Sequence, residues 1–137
     1  MVIGYTTGVF DMFHVGHLNI LKKAKEQCDY LIVGVSTDEC VRSYKNKDTV
    51  IPFEQRIEIV RSIKYVDEVV AQTTMDKMDA WKKLNFNKIF HGDDWKNSEM
   101  YKKIINDFRK IGVEVVFLPY TDGISSTILR NKIIKVK

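Results

Sequence analysis

The sequence predicts an α/β fold, a doubly wound and mostly parallel five-stranded sheet with helices on both faces. Three features point there. Short β-branched or aromatic runs alternate with longer stretches whose apolar residues recur at helical spacing. Several of the short runs are apolar on both alternations, as parallel strands covered on both faces are. Pro occurs only twice, and no repeat or Gly/Ser/Pro linker interrupts the 137 residues, so one domain over 1–137 accounts for the chain.

The first strand is expected over 2–8 (VIGYTTG), followed by a helix from about His17 to Cys28. Leu18, Leu21, Ala24 and Cys28 form one stripe of that helix, and Asn19, Lys22, Lys23 and Glu26 form the other. A second strand covers 30–36 (YLIVGVS), and YKNKD after it reads as a polar loop. The next helix opens at Pro52, a residue suited to a first helical turn, and should bury Phe53, Ile57, Val60 and Ile63. Strands over 67–71, 88–91 and 113–119 alternate with helices near 76–84 and 98–110, and a last helix starts around Ser125. In such a sheet a ligand binds at the carboxyl ends of the strands.

Composition narrows the function. The balance of 45% hydrophobic and 29% charged residues is that of an ordinary globular protein. No apolar stretch approaches the roughly 18 residues of a membrane helix, and MVIGYTTGVF lacks the pattern of a secretion signal, so a soluble cytoplasmic protein is expected. The net charge of +4 would suit a polyanion, but the basic residues are spread along the chain. A phosphate-bearing small molecule explains that balance as well as a nucleic acid does. Cys28 and Cys40 show no CxxC spacing and read as free thiols.

Two of the three histidines stand in one stretch, GVFDMFHVGHLNIL (8–21), at the end of the first strand. Gly8 lets backbone approach a phosphate, and the helix start at Val15 and Gly16 presents unpaired N–H groups to an anion. Imidazoles at His14 and His17 would add donors and, when protonated, offset charge growing on phosphorus. Capping residues or half of a zinc site are the other readings of such a pair; no third metal ligand stands at suitable spacing, only Asp11 nearby.

GVFDMFHVGH resembles the HxGH signature of a nucleotidyltransferase superfamily, and YTDGISST (120–127), completed by Arg130, resembles its second signature. YLIVGVSTDE, IPFEQRIEIVRSIKYVDEVV, HGDDW and LPYTDGISST are similar to the cytidylyltransferase branch. The resemblance implies a Rossmann-like fold, CTP and Mg2+, a small phosphorylated alcohol as acceptor, and a homodimer with no nucleic-acid or membrane partner. Glycerol-3-phosphate stands first among acceptors, giving CDP-glycerol. Glycerol-2-phosphate, other polyol phosphates, phosphocholine and phosphoethanolamine follow, then adenylyl transfer, then a nucleotide-binding module without catalysis. By the same resemblance His14, His17, Lys45 and Arg130 are catalytic. Gly8, Val9, Phe10, Lys47, Asp93, Asp94, Trp95, Thr121, Gly123, Ile124, Ser125 and Ser126 bind nucleotide. Asp11, Arg56 and Lys64 serve the acceptor side, and Asp11 is also a candidate for orienting a lysine, a histidine or the metal. No metal ligand is assigned, and His91 is read as structural. Tyr120 stands where the branch commonly has arginine, and Lys64 where it has another, which removes one cation and one bidentate fork.

Overall fold

The computed structural model describes residues 1–92 and 99–119. Its elements run β1 (Ile3–Gly8), α1 (Val15–Glu26), β2 (Tyr30–Ser36), α2 (Asp38–Lys45), α3 (Phe53–Arg61), β3 (Glu68–Gln72), α4 (Lys77–Leu84), β4 (Lys88–Gly92), α5 (Glu99–Lys110) and β5 (Glu114–Leu118). Among the described residues the strands form one sheet in the order β3-β2-β1-β4-β5, and every pairing is parallel. The expected α/β class holds. The predicted strands lie within a residue or two of those observed, and α1 begins two residues earlier than expected.

Period-two alternation in the strands divides the core. Leu31, Val33 and Val35 of β2 face Leu21 and Ala24 of α1 and Val60 of α3 on one side of the sheet. Ile32 of β2 joins Tyr5, Phe86, Ile89 and Phe108 on the other, against Met78, Trp81 and Leu84 of α4 and Ile104 of α5. Phe53, Ile57 and Ile63 pack against the first cluster as expected but remain partly exposed. No described helix is long and apolar enough to cross a membrane.

α2 was not expected. Thr37 caps it, its hydroxyl accepting from Cys40 N–H, and Asn46 ends it in the left-handed conformation. Its short buried stripe, Cys40 and Val41, is too small to show as periodicity.

The order of the strands places the switch point between β1 and β4, because the chain winds outward through β2 and β3 before returning to the other side of β1. The carboxyl ends of β1 and β4, at Gly8 and Gly92, therefore flank the same crevice.

β1 crosses the middle of this arrangement under tight packing. A Cβ on Gly4 would lie 2.7 Å from both the Cys28 sulfur and the buried Phe90 ring. Gly4→Ala should destabilise the protein by about 1–3 kcal/mol through overpacking, read from the midpoint of urea unfolding.

Candidate active site

The turn after β1 and the first residues of α1 form the best-defined part of the crevice. His14 is the N-cap of α1, and its Nδ1 accepts from Gly16 N–H at 3.0 Å. His17 returns the bond: its Nδ1 accepts from His14 N–H at 3.2 Å. Two histidines thus make the reciprocal capping arrangement usually built from Ser or Thr and Glu. The capping reading of the pair and its anion-binding reading coincide in one geometry.

That geometry fixes the protons. A neutral imidazole that accepts at Nδ1 carries its hydrogen on Nε2. The two rings stack with centroids 3.9 Å apart, and Phe10 and Phe13 hold the His17 ring at 5.4 and 5.2 Å. Burial lowers the His14 pKa. Burial first and His14 second push His17 down to about 4, against an upward pull from Asp11. Both rings are neutral near pH 7 without ligand, and the buried Nε2 of His14 has no hydrogen-bond partner among the described residues. An unpaired buried donor costs about 1–3 kcal/mol, so the site is poised for an acceptor atom such as a phosphate oxygen.

The turn carries strain. Phe10 and Met12 have φ of 55° and 49°, a region costly for non-glycine residues. The missing side chain of Gly8 also leaves room for the Phe10 ring, which a Cβ would meet at 2.9 Å.

Three sequence assignments change. Arg56 is 0% exposed: Nε donates to Ile51 O at 2.8 Å, Nη1 to Val9 O and Ser36 O, each at 2.7 Å, and Nη2 to the Asp38 carboxylate at 2.6 Å. With those donors engaged inside the fold, it is not displayed to an acceptor phosphate. Asp11, 5% exposed, accepts from Val50 N–H at 2.8 Å and Ile51 N–H at 2.9 Å, one on each carboxylate oxygen. Lys64 lies in the turn between α3 and β3, its Nζ 5.2 Å from the Tyr65 ring. Asp67, three residues on, pairs with Lys25 near the end of α1, which places Lys64 at the amino edge of the sheet, away from the histidines. Lys45 ends α2 and Lys47 stands in the 46–52 loop, where both are exposed. Asp93, Asp94, Trp95, Tyr120, Thr121, Gly123, Ile124, Ser125, Ser126, Arg130 and the expected last helix lie outside the described residues.

Sequence reasoning missed Lys77. It opens α4, is 6% exposed, and donates to Thr7 Oγ1 at 2.8 Å near the end of β1. Burial pushes its pKa down to about 8. The available signal was a lysine in a first turn, where it opposes the helix dipole. His91 is 8% exposed with Nδ1 3.3 Å from the Tyr101 hydroxyl, and burial pushes its pKa down to about 3. Among the described residues no group of three or more His, Cys, Asp or Glu could hold a metal ion.

Comparison with known proteins agrees with this arrangement. A family model for cytidylyltransferase-like proteins matches residues 5–132. The chain is 40% identical over 127 residues to a glycerol-3-phosphate cytidylyltransferase of Bacillus spizizenii, covering 92% of each chain. It is 43% identical over 118 residues to an FAD synthase of Thermococcus kodakarensis, covering 82% of this chain and 76% of that one. A crystal structure of the lipopolysaccharide core biosynthesis protein from Thermoplasma volcanium superposes with a TM-score of 0.78 at 28% identity, over 89% of this chain and 99% of that one. With a capped histidine pair at the switch point of a parallel sheet and a family match spanning nearly its whole length, the chain belongs to the cytidylyltransferase-like family.

Proposed function

We propose that this protein transfers CMP from CTP to a small phosphorylated alcohol, with glycerol-3-phosphate the first choice. A phosphomonoester oxygen attacks the α-phosphorus of CTP, the new P–O bond forms, and the α–β bridge bond breaks to release pyrophosphate. No covalent nucleophile is needed, and the protein's part is positioning and charge stabilisation.

The observation that carries this reading is the stacked His14–His17 pair at the α1 N-terminus, with Nε2–H donors and a buried unpaired nitrogen. The helix dipole adds to the same field. Lys45 and Lys47 meet the phosphates from the loop side. Lys77 takes the acceptor role that the resemblance implied for Arg56: its one hydrogen bond among the described residues, to Thr7, leaves ammonium donors over for the acceptor phosphate. A homodimer and a Mg2+ ion accompanying CTP belong to this reading too.

A second reading is adenylyl transfer, favoured by the 43% identity to an FAD synthase. Pyrophosphate release should be measured with Mg2+ and each pairing of CTP or ATP with glycerol-3-phosphate, glycerol-2-phosphate, phosphocholine, phosphoethanolamine or riboflavin phosphate. Release with CTP and one alcohol phosphate is expected. Release only with ATP and riboflavin phosphate would replace the assignment.

His14→Ala or His17→Ala should lower turnover by about 10²-fold, by analogy with the loss of one preorganised transition-state donor, and the lost cap should lower stability by about 0.5–2 kcal/mol without unfolding the protein. Lys77→Met should raise KM for the acceptor several-fold and leave KM for CTP nearly unchanged, as steady-state kinetics with each substrate varied would read.

The histidines also link binding to pH. Their free-state pKa values are lowered, and the one nitrogen left to protonate in each ring, Nδ1, already accepts a backbone N–H, so the rings meet the polyphosphate neutral, through Nε2–H. Protonating a ring would break a capping bond, so CTP affinity should weaken as pH falls toward the His17 value of about 4. Titration calorimetry in buffers of different ionisation enthalpy should show a proton count at pH 7 that His17→Gln leaves unchanged.

A further inference from the structure

We propose that Asp11 and Arg56 are positioning residues that latch the histidine turn to the 46–52 loop, setting both sets of phosphate contacts at once. The inference rests on the proposed function only in taking the anion at these loops to be a nucleotide triphosphate.

The bonds cross between the two loops in both directions. Asp11, between the left-handed residues Phe10 and Met12, reaches out of the histidine turn and takes the Val50 and Ile51 N–H groups. Arg56, at the start of α3, reaches back: one nitrogen takes the Ile51 carbonyl and another the Val9 carbonyl, just before Phe10. Asp38 completes the set. Its carboxylate accepts from Arg56, from Thr49 Oγ1 at 3.0 Å and from Phe53 N–H at 3.3 Å. Burial alone would raise the Asp38 pKa, but these bonds hold it below its ordinary value.

This network explains two features together. A turn with strained positions on either side of one aspartate persists only where its surroundings over-determine it, and here the Val9 carbonyl and the Asp11 carboxylate are both fixed. A fully buried guanidinium must find acceptors in the fold, and it finds them in β1's exit, β2's end and the 46–52 loop. Lys47 precedes the tethered pair Val50–Ile51 by three residues, and His14 follows Asp11 by three. Displacing one loop must therefore move the other.

Asp11→Asn keeps the volume but can accept only one of the two N–H bonds. Amide hydrogen exchange in the protein without nucleotide should quicken at least tenfold at Val50 and Ile51, and also at His14 and Gly16, while Val33 in the sheet stays protected. In steady-state assays the variant should raise KM for the nucleotide about tenfold and leave KM for the acceptor within twofold. Adding Lys47→Ala to Asp11→Asn should cost less than twofold more, because the loop has already lost its position. Arg56→Lys, which keeps the charge but loses the fork, should show the same exchange pattern if it folds. Exchange confined to Val50 and Ile51, or a rise in acceptor KM alone, would overturn the latch. Should neither CTP nor ATP support turnover, the functional reading fails, and exchange that does not spread to His14 and Gly16 still overturns the latch.

Discussion

A guanidinium with no exposed surface governs this site. Burying a charge without partners is prohibitive, so Arg56 dictates where its acceptors must be: the Asp38 carboxylate at the start of α2, and carbonyls at the exit of β1, the end of β2 and the loop before α3. Each of those carbonyls sits at the carboxyl edge of the sheet. The edge that a parallel fold leaves for ligands is thus rigid on the α1 side before any ligand arrives, and the strained turn carrying the histidines is held as part of the same unit.

On that base the electrostatics is divided by protonation. The α1 side presents neutral imidazoles, a helix N-terminus and exposed lysines, whereas across β1 a buried amine stands at Thr7. Neutral rings with Nε2–H groups donate without repelling one another, which two stacked imidazolium ions 3.9 Å apart would do. The amine at Lys77, lowered to about 8, remains mostly protonated at neutral pH and keeps its attraction for a phosphate.

The sequence was most legible where a physical rule ties residue type to backbone. β-branched runs fix strands, and their order in a wound sheet fixes the ligand edge, so the place of His14 and His17 could be read before any coordinates. It was least legible for charged residues. Asp11, Arg56, Lys64 and Lys77 look alike as exposed polar positions in a string of letters, because burial depends on contacts between distant segments: Val9 to Arg56, or Thr7 to Lys77. Family resemblance selects such residues as important without separating those that touch a ligand from those that hold a loop. α2 escaped for a related reason, since Cys40 and Val41 are too short an apolar stripe to declare a helix, and only its Thr37 cap marks the start.

The two kinds of relative, at 40% and 43% identity, follow from what the described site is made of. In the proposed function, stacked imidazoles, helix amides and lysines meet phosphate, which CTP and ATP share. None of them reads a base. A sheet of order β3-β2-β1-β4-β5 has its switch point at β1 and β4, and the groups described at the end of β1 are ones that either nucleotide would meet. Overall identities of 40% and 43% therefore do not choose between CTP and ATP, and the choice is left to whichever groups contact the base.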